Sequence, residues 1–298
     1  MIPKRALGDT GLEVSALALG AGPLGDLSLG ERQVEELLEA ALSLGVNLLD
    51  TAPSYGASEE RLGRLLEGRR ERVVLSTKVG YGVEGVPDWT GPCITAGIDK
   101  ARAKLRTDVL DLVHLHSCPV EVLARGDVTD ALLRAKADGK IRAAAYSGDN
   151  EALLFALESG AFDSVQCSLS VVDQRAAERA LPRAKARGMG VVTKRSLANA
   201  VWRYEARPER HDLGPYWDRF RTLAIEPLAR EAGLALDELA LRFAAFHDDV
   251  DAILVGTTRA ENLARAAEAF AKGPLGDDLR RELQKRFRDR GSEWEGVV

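Results

Sequence analysis

The chain has 298 residues, 45% of them hydrophobic and 29% charged, a balance that supplies a sizeable buried core and reads as a soluble globular protein. A net charge of −5 leaves no basic footprint, which argues against a nucleic acid or an anionic membrane surface as partner. Cys93, Cys118 and Cys167 are an odd, widely spaced set without a CxxC pair, so neither a disulfide framework nor a zinc site is expected. No leader-like apolar run follows Met1 and no stretch reaches the length of a membrane span, so the expected location is a reducing cytoplasm.

Short extended segments at 4–7 and 12–14 flank Gly8-Asp9-Thr10-Gly11 and form a candidate hairpin. Ala16-Leu17-Ala18-Leu19-Gly20 reads as a buried strand. Ser28 is a candidate cap for a helix from about Glu31, with Val34, Leu37, Leu38, Ala41 and Leu42 at helical spacing and Gly45 beyond its end. A second strand, 46–50, stops on the carboxylate of Asp50. A Thr-Ala-Pro-Ser turn then leads to Tyr55, Gly56 and a helix over 58–66. The alternation continues with strands at 73–78, 109–116, 141–146, 164–167, 191–194 and 251–255. Helical periodicity follows them at 94–105, 128–137, 151–158, 176–187, 225–232 with 236–246, and 259–271. The stretch 196–220 has no clear period and carries Trp202, Tyr204, Tyr216 and Trp217, while 275–287 reads as an extra helix.

Counting from Ala16 gives eight strand-then-helix units whose strands barely alternate, as parallel strands buried on both faces do. The expected fold is α/β: a (β/α)8 TIM barrel with an N-terminal β-hairpin and an extra C-terminal helix, one domain over 1–298. The rival, a doubly wound open sheet, calls for a GxGxxG turn after the first strand. Here Gly20-Ala21-Gly22-Pro23-Leu24-Gly25 puts a proline in the way.

In such a barrel the working face is made by the C-terminal ends of the strands. Asp50, Lys78, His116, Ser147, Gln166 and Lys194 all fall there, with Tyr55 one turn beyond Asp50. Singly, each has a structural explanation. Lys78 can carry its amine to water, Asp50 can bond backbone amides, and one of His114 and His116, which share a strand face, can be a satisfied core histidine. Their recurrence at one end of successive units points to a site instead. A free phenol has a pKa of about 10, too high for acid–base work at neutral pH, and an ammonium beside it favours the phenolate. Lys78 fits that part, with Asp50 keeping it charged and His116 hydrogen-bonding a substrate oxygen. No metal set is required; the missing partner is a hydride carrier.

The segments LLDTAPSYGASEERLGRLL, STKVG, DVLDLVHLHS, GKIRAAAYSG and DAILVGTTRAENL resemble the aldo-keto reductase family in order and spacing, from about residue 5 to residue 271. The resemblance implies an oxidoreductase passing hydride between NADP(H), or NAD(H), and a small aldehyde, ketone, sugar or alcohol. It implies Tyr55 as general acid, Asp50 and Lys78 as its tuning pair, and His116 as substrate-oxygen donor, because the family's histidine is the last residue of its strand. Ser147 and Gln166 would hold the nicotinamide carboxamide. The family often has asparagine after that serine; Gly148 stands here, so one contact is lost or passes to Asp149. Many members stack an aromatic ring on the nicotinamide. This chain reads Thr193-Lys194-Arg195-Ser196-Leu197 at that position, leaving Lys194 or Arg195 to cover the ring or reach the pyrophosphate. Gly256-Thr257-Thr258-Arg259 with Asn262 resembles the family's adenosine-phosphate site, where a helix N-terminus and Arg259 would favour a 2′-phosphate, and so NADP(H) over NAD(H).

Two other functions share these residues. One is a cofactor-binding regulatory protein of the same fold with little catalysis; the other is a barrel lyase or isomerase using Lys78 as a Schiff-base amine. Substrate choice lies in loops, for which Tyr81, Trp89, Trp202, Tyr204, Trp217 and Trp294 are the available aromatic walls. Cys118 reads as an inert wall beside the site. Oligomeric state is not legible in the sequence.

Overall fold

Strand alternation and register decide which side chains of this chain meet. The computed structural model describes residues 1–297. It begins with an antiparallel hairpin of β1 (Lys4–Ala6) and β2 (Glu13–Ser15). Eight strands follow: β3 (Leu17–Gly20), β4 (Leu48–Asp50), β5 (Val74–Val79), β6 (Leu110–His116), β7 (Ile141–Ser147), β8 (Ser164–Ser168), β9 (Gly190–Lys194) and β10 (Ala252–Gly256). They pair in parallel in chain order, β10 closes on β3, and helices surround the closed barrel. The expected (β/α)8 barrel with its hairpin and extra C-terminal helix is therefore present, and closure removes the edges an open sheet would leave.

Every residue of β5 is buried, which explains why its sequence shows no apolar–polar alternation. Leu75 and Val79 join the core between strands and helices, whereas Val74 joins the cluster inside the barrel. A period of two sends Ser76 and Lys78 inward with Val74. The interior is layered. Leu7, Leu12 and Val14 of the hairpin form the floor, packed with Ala18, Leu48, Val74, Leu112, Ala145, Val192 and Leu254. Polar side chains take over toward the C-terminal strand ends. The hairpin docks closely, with the Asp9 amide donating to Gly188 O at 2.7 Å. Gly8 makes this approach possible: its φ is +49°, and a Cβ there would lie 2.3 Å from the Gly190 nitrogen.

Some local expectations are corrected. Ser28 does not cap the helix Glu31–Ser43; Gly30 holds that position, and the Ser28 amide bonds Asp26 Oδ1 in the preceding turn. The helix expected over 176–187 is split into Arg175–Arg179 and Leu181–Ala186, because Pro182 removes an amide that a continuous helix needs. The C-terminal helix is Asp277–Gly291, later than the periodicity placed it. The stretch 196–220 holds a 3-10 segment, Ala198–Arg203, with Asn199 and Ala200 left-handed, and a helix, Gly214–Thr222. That helix turns Tyr216 and Phe220, four residues apart, into the core. Val120–Arg125 is a further helix, too short to display a period. Among the described residues no helix is long and apolar enough to cross a membrane.

Leu7 is fully buried in the barrel floor. Leu7→Ala is expected to lower the unfolding free energy by about 2–5 kcal/mol, the usual cost of a core cavity, measured as a fall in the urea midpoint at constant slope.

Candidate active site

The parallel register sets one polar level across the strands. Asp50 lies beside Ser76, Lys78 beside His114, His116 beside Ser147, and Ser147 beside Gln166. Lys78 Nζ donates to Asp50 Oδ2 at 2.6 Å and to the Thr51 carbonyl at 2.8 Å. Asp50 Oδ1 accepts from Ser76 Oγ at 2.7 Å and from Gln166 Nε2 at 2.9 Å. The side chains of Lys78 and Asp50 are 1% and 4% exposed, so this ion pair is sealed from water. Burial is the largest single influence and works against both charges, but the partner's charge together with the surrounding charges and hydrogen bonds outweighs it. Asp50 is held below the usual carboxylate range and Lys78 above the usual lysine value, so both are ionised at neutral pH.

Tyr55 stands over this pair. Lys78 Nζ is 5.0 Å from the centroid of the phenol ring, and the His116 ring meets it edge-on at 6.2 Å and 89°. A tight turn presents the ring: the Tyr55 amide donates to Ala52 O and the Ser58 amide to Tyr55 O, both at 3.0 Å. Glycine is required opposite. A Cβ on Gly25 would lie 1.6 Å from the Tyr55 carbonyl oxygen, so the loop after β3 clamps the tyrosine only because residue 25 has no side chain. That loop is itself held by Arg61, which donates to the carbonyls of Leu24, Asp26 and Leu29.

The β6 histidines divide by depth. His114 is fully buried, with Nε2 3.0 Å from Ser76 Oγ, whereas His116 ends the strand and is half-buried at the mouth. Burial lowers His114 to about 4, and burial with the neighbouring Lys78 charge lowers His116 to about 3. Both imidazoles are neutral at physiological pH. The Tyr81 hydroxyl lies 2.7 Å from His116 Nδ1, and Trp89 packs against Tyr81.

Toward β7, β8 and β9, Ser147 Oγ donates to Gln166 Oε1 at 2.9 Å. Gln166 thus joins Ser147 to Asp50 while, among the described residues, one of its amide hydrogens and one carbonyl lone pair have no side-chain partner. Asp149 accepts from the Ser168 amide and hydroxyl and pairs with Lys194 at 3.1 Å. Arg195 turns to Ser168 Oγ and to the Val297 carbonyl. Ser196 is buried against Thr193 Oγ1 at 3.1 Å and Leu197 packs on the core, so these two point inward. After β10, Thr257 Oγ1 accepts from the Arg259 amide and from Asn262 Nδ2, fixing the turn into helix Ala260–Ala271. The Thr258 carbonyl accepts from Gln33. Among the described residues the Arg259 side chain has no carboxylate partner, and Gly256 is exposed beside it.

Sequence reasoning missed two features. Ser76 bridges Asp50 and His114, and its place two residues before Lys78 on an inward-facing strand was the available signal. The tail 294–297 lies across the loops after β7, β8 and β9, its carbonyls accepting from Arg175, Arg219 and Arg195, with Gly296 and Asn150 exchanging two hydrogen bonds. A cleft of about 140 Å³ remains beneath it, bordered by Asp149, Ser168, Asp173 and Glu295. No sequence pattern announced that docking. Of the aromatics expected to line a pocket, Tyr81 alone reaches His116 among the described residues; Trp89 backs Tyr81 and, like Trp202, Trp217 and Trp294, packs against the core.

This fold and cluster define the class: a (β/α)8 barrel with ionisable groups gathered at the C-terminal mouth. A model of the Aldo/keto reductase family matches residues 16–285, and the chain belongs to that family. It is similar to an L-galactose dehydrogenase of Arabidopsis thaliana, 29% identical over 91% of this chain and 90% of that protein. A D-threo-aldose 1-dehydrogenase of a Pseudomonas species is 28% identical over 88% of this chain and 91% of its own. Among solved structures, an aldo-keto reductase from Bacillus halodurans in its holo form superposes with a TM-score of 0.83 at 27% identity, covering 98% of this chain and 97% of that one.

The buried histidines give stability a pH dependence of definite sign. An unfolded histidine titrates near pH 6.5, so below that the unfolded chain takes up protons that folded His114 and His116 refuse until about 4 and 3. Stability therefore falls as pH falls from 6.5. Asp173 opposes this: burial, with Asp149 nearby, raises it to about 6, so between about 4 and 6 it holds a proton that the unfolded carboxyl has released. Glu59, raised by burial, acts with Asp173, and His247, lowered by burial, acts with His114 and His116, so the histidines outnumber the opposing carboxyls. The urea midpoint is expected to drop from pH 7 to pH 5, and Asp173→Asn to steepen that drop. A flat or rising midpoint contradicts the assignment.

Proposed function

We propose that this protein is an NADP(H)-dependent oxidoreductase that interconverts a carbonyl and an alcohol at the mouth formed by Tyr55, Lys78, Asp50 and His116. The observation that carries the reading is the phenol of Tyr55 set above a sealed, ionised Lys78–Asp50 pair and beside a neutral imidazole. A nicotinamide held at this mouth would supply the hydride that a carbonyl carbon takes in the reducing direction. Tyr55 gives its proton to the carbonyl oxygen, and the Lys78 ammonium stabilises the phenolate left behind. Asp50 keeps Lys78 charged and pointed at the phenol, and His116 hydrogen-bonds the same oxygen to orient it. Oxidation reverses each transfer.

The residues fit such a cofactor. The unused amide valences of Gln166 and the hydroxyl of Ser147 suit a carboxamide. Lys194 and Arg195, with Ser196 and Leu197 setting their loop, supply positive charge for a pyrophosphate. Gly256, Thr257, Thr258 and Asn262 shape the turn into a helix N-terminus, where an Arg259 lacking a carboxylate partner suits a 2′-phosphate. The site is read as taking a sugar or other small polar aldehyde, since Tyr81, backed by Trp89, offers an aromatic face beside His116 and two relatives are named as dehydrogenases of aldoses. The protein is read as cytoplasmic.

Tyr55→Phe is expected to lower kcat by about a hundred- to ten-thousandfold, with NADPH affinity unchanged by fluorescence titration. Retained turnover across a panel of aldehydes and aldoses would remove Tyr55 from the mechanism. Arg259→Ala should weaken NADPH binding by about tenfold while leaving NADH nearly unaffected, and equal loss for both would overturn the 2′-phosphate assignment.

A further inference from the structure

We propose that Tyr81 is a positioning residue that fixes the tautomer of His116, holding the imidazole proton on Nε2 so that this nitrogen donates to the substrate oxygen. The inference deepens the function proposed above and rests on its assignment of His116.

The loop 80–89 is built to hold Tyr81 in one place. The Trp89 amide donates to the Gly80 carbonyl at 2.7 Å, and the Gly82 amide donates to Asp88 Oδ1 at 2.9 Å, closing the loop on itself. Trp89 adopts a left-handed φ of +57°, which a bulky residue takes only when its surroundings impose it. Its ring sits where a Gly80 side chain would be, since a Cβ there would lie 2.2 Å away. The same ring meets Tyr81 at 5.7 Å, and Tyr81 lies nearly parallel to the imidazole of His116 at 5.5 Å and 22°. The phenol oxygen then reaches Nδ1 at 2.7 Å.

That contact decides a question the imidazole leaves open. With His116 lowered to about 3, the ring is neutral over the working range and carries one N–H. Among the described residues His116 Nδ1 is the only hydrogen-bond partner of the Tyr81 hydroxyl. A phenol accepting from Nδ1–H would leave its own proton without a protein partner among the described residues, whereas a phenol donating to bare Nδ1 uses it. The second arrangement leaves the imidazole proton on Nε2. A carbonyl oxygen can only accept, so a bare Nε2 facing it repels where a protonated one binds. Tyr81 touches neither reacting atom; it acts through His116.

The test is Tyr81→Phe, which keeps the stacked ring and removes the hydroxyl. Nitrogen–proton correlation spectra of the His116 side chain in the full chain with NADP bound should show a single Nε2–H tautomer with a hydrogen-bonded Nδ1 in the wild type. The variant should show a mixture of tautomers. Its kcat/KM for an aldehyde should fall about tenfold with NADPH affinity unchanged. A wild-type spectrum with the proton on Nδ1 overturns the proposal, as does a variant that keeps the pure Nε2–H form. Failure of the wider reading is separate: full turnover by Tyr55→Phe removes the proposed mechanism, whereas the spectra judge Tyr81 whether or not the enzyme turns over.

Discussion

Two opposite charges buried inside a barrel are stable only if they meet closely and further hydrogen bonds support them, and the Asp50–Lys78 pair draws that support from its surroundings. Desolvating each ion costs several kcal/mol, more than an imperfect contact returns. Here the contact is 2.6 Å, Ser76 and Gln166 donate to the other Asp50 oxygen, and the Thr51 carbonyl accepts a second Lys78 hydrogen. Those groups come from β5, from β8 on the far side of the barrel and from the turn after β4. A slip of β5 by one residue would turn both Ser76 and Lys78 outward and strand Asp50 as an unpaired anion. The pair and the barrel register therefore hold each other in place.

The same economy of charge shapes the rest of the polar level. The two imidazoles beside this sealed pair are neutral because a second cation near Lys78 would be desolvated as well as repelled. Beneath it, the hairpin floor and the aliphatic layer keep water from entering at the N-terminal end. Charge, donors and a phenol thus concentrate at the one end that opens to solvent, and the low polarisability around them makes each electrostatic contact stronger than it would be in water.

A second set of charges lies farther out, between β7, β8 and β9. Asp149 there is shared between Ser168 and Lys194, and Arg195 is shared between Ser168 and the chain's own tail. Arg219 packs on the rings of Tyr216 and Trp294 and donates to the Glu295 carbonyl, with Asp173 3.6 Å away. The tail is thereby tied by guanidinium groups to the rim, with Trp294 edge-on against Phe287. Tyr216 and Phe220 belong to the packing that supports the rim.

Much of this was legible in the sequence, because the barrel's strands are short apolar runs separated by periodic helices, several followed by glycine, and those signals are local. Asp50, Lys78 and His116 could be placed at strand ends for the same reason, and Tyr55 by the turn that follows. The limits were also local in origin. A proline divided one helix, a six-residue helix was too short to show a period, and left-handed residues interrupted 198–200. What only the tertiary structure decided were the contacts between residues far apart in the chain. It joined Gln166 to Asp50 across the barrel, ran the tail against Arg195, and laid Tyr81 on His116. The sequence by itself determined the elements and which residues end them, since hydrophobic period and turn chemistry act over a few positions. Partnership across the mouth depends on strand register, loop path and closure, which no short window of sequence contains.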